Sequence, residues 1–406
     1  YGAAMVCDLA LEFLHEGVPL PTLRARWGPP QRDTMTLATV ASLVREGGIK
    51  AAVLEMLARP SVASQEDRAR AYDHEVKGLS VIKPWCGHRQ DVPSTASVMR
   101  ARHGRQEGVV LGEGIHPFYS DVDAHAMGHA CVDEALRRVL CAGARIDRVS
   151  ALDNFCWPDP IESDKNPDGA HKLAQLVRCC EALYESCVAH GVPLISGKDS
   201  MKNDAFLDGV RISIPPTLLV SVMGQMEDVG MALNLEPRGE GDLIFVLGHT
   251  RGEFGGSELC RMLGCDSDSV PRTDAPALAA SYRDFVALRD RGVVKSAHIV
   301  GRGGLAVALG HMAMSSPLGI CVERTPEGIE PPLAWFSEST GRIVFTVAEE
   351  DAEAAASLVR THGGGCIGSV EASEEDGHLR FVHDTDGFGV SADALRSSFK
   401  EGLHGL

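Results

Sequence analysis

The stretch Pro193-Leu194-Ile195-Ser196-Gly197-Lys198-Asp199-Ser200-Met201-Lys202-Asn203-Asp204 decides how the rest of the chain reads. Its opening apolar residues predict a short buried strand, and the following residues read as a turn with a glycine, two hydroxyls, two lysines and two aspartates. Such a strand end offers backbone N–H groups and ammonium groups to a phosphate, and carboxylates to a metal. The same composition also makes an ordinary solvated turn. Upstream, residues 149–152 predict a strand running into Asp153-Asn154-Phe155-Cys156-Trp157-Pro158-Asp159-Pro160. A helix over about 170–190 follows, with Leu173, Leu176, Cys180, Leu183 and Cys187 in its pattern and Gly191 closing it. Two Asp-bearing strand ends therefore flank one helix, a β-α-β arrangement that brings Asp153 and the Gly197 turn to one sheet edge.

Further out, Val109-Val110-Leu111 reads as a strand ending at Gly112-Glu113-Gly114. A helix that Ser120 or Asp121 can cap then carries Met127, Cys131, Ala135 and Val139 on one stripe, and Gly143 ends it. Glu134 and Arg138 sit on it at the spacing of a surface ion pair. Residues 212–226, interrupted by Pro215-Pro216, predict two strands or one kinked strand. Beyond them, a buried strand within 241–248, glycine turns at 253–258 and 303–304, and elements at 343–347, 351–359 and 366–370 form an alternating α/β pattern. The two glycine turns are structural turns or anion sites. Residues 1 to about 90 read as a connector with an amphipathic pattern over 37–57 and a helix start at Ser64-Gln65-Glu66-Asp67. The triplet Asp73-His74-Glu75 tempts a metal reading, but contiguous residues cannot all face one point, so a structural role is preferred.

The length of 406 residues implies about two or three domains. A net charge of -17 argues against nucleic acid or an anionic membrane as a bulk partner, though not against a phosphorylated small molecule in a local basic pocket. The 12 cysteines are scattered without a C-x-x-C pair, which predicts reduced thiols and a cytoplasmic protein. No signal peptide or long apolar span is evident, and a chain opening at Tyr1 reads as truncated or processed.

The strings A-L-D-N-F-C-W-P-D-P at 151–160 and P-L-I-S-G-K-D-S-M-K-N-D at 193–204 resemble the phosphoribosylformylglycinamidine synthase family, an amidotransferase-partnered ligase of purine biosynthesis. R-A-Y-D-H-E-V at 70–76, G-D-L-I-F-V-L-G at 241–248, E-F-G-G-S at 253–257, G-G-L-A-V-A-L at 303–309 and F-S-E-S-T-G-R at 336–342 resemble it in the same order. The glycine strings are shared with the wider aminoimidazole ribonucleotide (AIR) synthetase-like superfamily. The resemblance implies an α/β (α+β) chain: a linker or end of a preceding B domain at 1–80, an A domain at 81–232 whose sheet pairs into a barrel, and an α/β B domain at 233–406. It further implies an ATP-dependent C–N ligase that uses ATP and Mg²⁺ to activate the amide oxygen of formylglycinamide ribonucleotide, which ammonia then attacks. Implied partners are the N-terminal half of the synthetase subunit, a glutaminase subunit and a small bridging subunit. A homodimer through an exposed apolar sheet is a further expectation.

Residue by residue, the resemblance places Asp153 and Gly197 against ATP and Ser200 against substrate. Lys198 stands where many relatives have a Mg²⁺-binding Asn, and an ammonium cannot ligate a cation. Either Lys198 neutralises phosphate or Asp199 takes the metal. Relatives with an auxiliary nucleotide site hold its metals with acidic and Asn residues; the matching positions here are Thr95, Glu134, Arg138 and Arg302, of which Glu134 alone is a good ligand. An ordered Mg²⁺–nucleotide is therefore not expected there. The family's catalytic histidine sits in an S-E-H-C-type string, and His74, His125, His129 and His298 all lie in other contexts. The chain is thus expected to need its N-terminal half for catalysis. A different superfamily enzyme and a degenerate non-catalytic scaffold are the competing readings.

Overall fold

The computed structural model describes residues 2–403 apart from 19, 33, 73, 74, 268, 375 and 383–386, so two of the three residues of the Asp73-His74-Glu75 triplet lie outside the described residues. Near the start, α1 (Leu37–Gly47) and α2 (Ile49–Leu57) divide the amphipathic pattern at Gly48, whose φ of 83° a helix does not accept. Val40, Val44, Val53, Met56 and Leu57 from this pair bury among residues of the C-terminal sheet and its helices.

The first sheet combines β1 (Ser80–Ile82), β2 (Ser97–Arg100), β3 (Gly108–Ile115), β4 (Val149–Cys156), β5 (Leu194–Ser200) and β6 (Thr217–Met226) in the order β1-β2-β3-β6-β4-β5. Its pairings are antiparallel except for β4 with β5, which run parallel. Across one face lie α3 (Ala124–Ala142) and α4 (Gly169–His190). The helix spanning the β4-to-β5 crossover is α4, as the β-α-β reading requires. Val210–Ser213 and β6 are separate strands, so Pro215-Pro216 marks a break and not a kink. Within this chain the sheet stays open, with β1 and β5 as its edges. The barrel pairing implied by the resemblance requires a second sheet.

Three local expectations are corrected. β3 does not stop before its glycines but runs through them, because the helix above comes too close for side chains. A Cβ on Gly112 would lie 2.8 Å from Arg138 Cβ, and one on Gly114 would lie 2.1 Å from the Cys131 carbonyl oxygen. The α3 cap is Asp123, which accepts from the His125 N–H, while Ser120 and Asp121 lie in a preceding 3₁₀ turn. The strand carrying Leu194 and Ile195 is not buried: β5 is an edge strand, and Ile195 is 63% exposed.

The second sheet contains β7 (Leu243–Leu247), β8 (Val294–Ile299), β9 (Gly319–Val322), β10 (Ile343–Val347), β11 (Gly364–Glu371), β12 (His378–Phe381) and β13 (Phe388–Ser391) in the order β8-β10-β7-β11-β9-β12-β13. Helices cover both faces, which is why β7 and β10 read as continuous apolar runs without alternation. Phe245, Ile343 and Phe345 join a core with α3 and α5 (Ala275–Asp290), whereas Ile244, Val246 and Val344 face the side of α6 (Gly304–Ser315), which is buried throughout.

Between the two sheets lies α3, and all of its residues except His125 and Arg138 are buried. Its two internal charges on the far side, Asp133 and Arg137, pair at 2.9 Å. Asp133 also accepts from Tyr282 Oη and from the Gly341 N–H at 3.1 Å, and Arg137 donates to the carbonyls of Val300 at 3.0 Å and Arg342 at 2.7 Å. All these partners belong to the C-terminal half, so the network joins the two halves of the chain. Among the described residues no helix is long and apolar enough to cross a membrane.

Two outcomes follow for stability. Asp133→Ala strands a buried guanidinium and lowers unfolding free energy in urea by about 3–5 kcal/mol. His311, on the face of α6 toward β8 with its Nδ1 3.4 Å from His298 Nε2, is pushed down from about 6.5 to about 4, by burial first and then by Arg138. A buried neutral imidazole of this kind contributes stability above about 6.5 that is lost as pH falls toward 4, because the unfolded chain binds the proton first. Thermal melts across that window show the fall, and His311→Leu makes it shallower, the similarly lowered His298 carrying part of what remains.

Candidate functional site

The β4–β5 edge joins the two strings that organise the sequence. Their parallel register sets Asp153 opposite Gly197, Asn154 opposite Lys198, Phe155 opposite Asp199 and Cys156 opposite Ser200. Just before it, Ala151 pairs with Leu194 and Leu152 with Ser196, so Ile195 is an extra residue in β5. Side chains alternate across a sheet, and this register therefore sorts the predicted residues onto two faces. Asp153, Gly197 and Asp199 share the helix-covered face with Ala151 and Phe155. Lys198 and Ser200 share the open face with Leu152 and Asn154, and the Lys198 ammonium touches Ser200 Oγ.

Gly197 leaves room for the Asp153 carboxylate to lie against its backbone. A Cβ there would lie 2.7 Å from Asp153 Oδ1 and 2.9 Å from Oδ2, so the carboxylate folds over the glycine backbone. Partial burial pushes the Asp153 carboxyl above its ordinary value, and the neighbouring Asp199 charge adds to the effect. Asp199 itself is exposed.

The loop beyond β5 is tied back to β4. The Trp157 N–H donates to the Ser200 carbonyl at 2.8 Å, and Asn203 Nδ2 donates to the same oxygen at 2.8 Å. Asp204 accepts from the Asp159 N–H at 2.9 Å and from Ser213 Oγ at 2.5 Å, and pairs with Arg211 at 2.9 Å. Burial opposes ionisation of Asp204, yet Arg211, Ser213 and the Asp159 N–H together hold its carboxyl well below the usual range. Asp204 is thus committed to structure, and Arg211, from outside the two strings, faces both Asp204 and Asp159.

The residues matched to an auxiliary site gather elsewhere, around a cavity of about 420 Å³ between the halves that Glu134, Arg138, Arg302 and His298 help to line. Glu134 sits 2.6 Å from His116 Nε2 and 2.6 Å from Arg138 Nη2, with its side chain only 8% exposed. The expected surface pair is therefore a largely buried one, because the C-terminal half closes over α3. Burial pushes the Glu134 carboxyl up, and Arg138, His116 and Arg302 outweigh it, so the group is held well below the usual carboxylate range. Arg138 also donates to the Thr95 carbonyl at 3.1 Å, and Arg302 donates to the carbonyls of Ser61 at 3.0 Å and Ile115 at 2.7 Å. Thr95 Oγ1 lies 2.7 Å from His298 Nδ1. Both Glu134 oxygens are already engaged by cations or potential cations, which makes this a poor cation site.

Sequence reasoning missed Glu338. This buried carboxylate accepts from the Gly303 N–H at 2.8 Å, the Glu258 N–H at 2.9 Å and Tyr119 Oη at 2.9 Å. It occupies the very N–H groups that made the two glycine turns candidate anion sites. Its position within F-S-E-S-T-G-R is the sole sequence signal, and no spacing rule connects it to turns 35 and 80 residues away.

Comparison with known proteins agrees with this architecture. The family description "AIR synthase related protein, N-terminal domain" matches residues 94–226, and "AIR synthase related protein, C-terminal domain" matches 239–396. The chain is 30% identical over 315 residues to the phosphoribosylformylglycinamidine synthase subunit PurL of Alkaliphilus metalliredigens, covering 77% of this chain and 40% of that protein. It is 26% identical over 328 residues to PurL of Methanococcus aeolicus, covering 79% of this chain and 42% of that protein. The chain thus spans less than half the length of these curated relatives. In fold it is similar to Thermotoga maritima PurL complexed with FGAR, at a TM-score of 0.62 and 17% identity over 88% of this chain and 56% of that one. The hydrogenase maturation protein HypE in complex with ATP is similar at a TM-score of 0.52 and 19% identity, over 70% of this chain and 84% of that one. With both domains matched in order over most of its length, this chain belongs to the AIR synthase related protein family.

Proposed function

We propose that this chain supplies one half of a split phosphoribosylformylglycinamidine synthase, the ATP-dependent ligase that converts formylglycinamide ribonucleotide and glutamine-derived ammonia to the amidine. The observation that carries the reading is the Asp153–Gly197 pair, where a carboxylate lies against a bare glycine backbone at the exposed edge of a sheet. The relatives named PurL support the same activity, and the fold neighbours, Thermotoga maritima PurL complexed with FGAR and with ATP, support ligands of this class.

In this reading Asp153 and the Gly197 backbone contact ATP. Ser200 contacts the ribonucleotide, and Lys198 beside it neutralises phosphoryl oxygens. Asp153 and Asp199 present carboxylate oxygens on a common face, the hard donors that Mg²⁺ takes. Bound Mg²⁺ would supply charge neutralisation to the nucleotide phosphates. Lys198 lies on the opposite face, so it need not compete with a metal, and a ligand lying along the open β5 edge reaches both faces. Positioning and charge neutralisation of this kind are the main protein contributions to phosphoryl transfer.

The reading assigns catalysis to a site completed by the N-terminal half, with ammonia from a glutaminase subunit and a bridging subunit in the assembly, in keeping with the fold neighbour PurLQS from Thermotoga maritima. Leu111, Leu152 and Met223 are each 38–40% exposed on the open face of the first sheet, a surface suited to the sheet of that missing half or of a second copy. The domain division is 1–80, 81–232 and 233–406. A cytoplasmic location is consistent with cysteines that are all free. The arginine-filled cavity around Glu134 favours one competing reading, a scaffold that has lost nucleotide binding.

ATP-dependent phosphate release with formylglycinamide ribonucleotide and ammonium chloride separates these. Release is expected when the chain is combined with an N-terminal half, not from the chain alone, and Asp153→Asn lowers the rate about 10-fold or more. Silence from a folded mixture selects the scaffold, and release from the chain alone overturns the split site. Crystals soaked with Mg²⁺ and ADP are expected to show no nucleotide ordered against Glu134; an ion ligated by that carboxylate refutes the reading of the cavity.

A further inference from the structure

Two helices that frame the β4–β5 crossover also carry a cluster that none of the roles above uses. His125 and His129 stand one turn apart on α3, their ring centroids 4.7 Å apart, and Glu185 reaches them from α4. Glu185 Oε2 is 3.3 Å from His125 Nε2 and 3.1 Å from His129 Nε2, and one ligand atom from each of the three residues lies within 4.8 Å of the others. Among the described residues this is the one group of three potential metal ligands so arranged. We propose that His125, His129 and Glu185 bind a divalent ion of the zinc class, clamping α3 to α4.

Four observations carry the assignment. A tetrahedral ion with bonds of about 2.0–2.1 Å holds its ligand atoms about 3.3 Å apart, the spacing already present between the carboxylate and each imidazole. The second nitrogen of His129 is engaged, with Nδ1 lying 2.6 Å from Ser186 Oγ, the kind of outer contact that turns a ligating ring and sets which nitrogen faces the ion. Two imidazoles with one carboxylate suit zinc, cobalt or nickel better than the all-oxygen shells of magnesium or calcium. Finally, His125 and His129 border a cavity of about 430 Å³ beside Asp123 and Arg272, which leaves room for water as a fourth ligand.

An ion at this point replaces the contacts between Glu185 and the two imidazoles with three coordinate bonds. It also ties the last turns of α4, which lead through Gly191 into β5, to the central helix of the fold. The proposal does not depend on the ligase reading.

Cobalt(II) titration of the purified chain tests it, because ligand type is read from the spectrum. The expected result is one equivalent per chain with tetrahedral visible bands and no thiolate charge-transfer bands, competed away by zinc. Glu185 and His125 are the more exposed ligands, with side chains 54% and 30% exposed, so their alanine variants serve as fold-safe controls. Glu185→Ala and His125→Ala each weaken binding about 10-fold or more, and Ser186→Ala weakens it about 10-fold through the ring it orients. Zinc also raises the melting temperature of the wild-type chain, and does so far less in Glu185→Ala. A folded chain that binds no stoichiometric cobalt, that binds it through thiolates, or that binds it equally tightly in both ligand variants overturns the proposal.

Discussion

The Asp133–Arg137 pair is the constraint from which the rest of this molecule is assembled. Burying two charges is costly, and the cost is offset here because Tyr282, the Gly341 N–H and the carbonyls of Val300 and Arg342 satisfy the remaining donors and acceptors. None of those partners lies on the first sheet or its helices. The pair can therefore be satisfied only when the C-terminal half is docked, which turns α3 from a surface helix into a core element. Once it is there, Gly112 and Gly114 must be glycines for β3 to pass beneath it, and Glu134 is carried into a closed cavity.

The second consequence concerns what is left open. Helices cover one face of the first sheet, while Leu111, Leu152 and Met223 remain exposed on the other. The edge that carries Asp153, Gly197 and Ser200 borders that uncovered face. A site at such an edge gains backbone groups that are not yet paired, but it lacks walls on two sides. The proposed reading has residues from outside this chain supply those walls.

The two helix-end glycine motifs illustrate how a local signal misleads. Each presents N–H groups in the manner of an anion site, and each is already occupied by one buried carboxylate from a third segment, Glu338. The residues around Asp204 behave likewise: a dense cluster of charges that pairs with itself and fixes the loop on which the exposed lysines stand.

Much of the first domain was legible in advance. The spacing of apolar residues located α3 and α4, and the strand–helix–strand order brought Asp153 and Gly197 to one edge, because both depend on short-range periodicity and on the handedness of parallel crossovers. The sequence by itself thus determined the elements, their order and the juxtaposition of the two strings that carry the family resemblance. Tertiary structure alone decided that the Glu134–Arg138 pair is largely buried, that β5 is exposed, and that Lys198 and Ser200 face away from Asp153 and Asp199. Those outcomes depend on which half closes over which helix and on a single-residue irregularity at Ile195. A one-residue shift in register exchanges the faces of a strand without altering its composition or its hydrophobic pattern enough to be read.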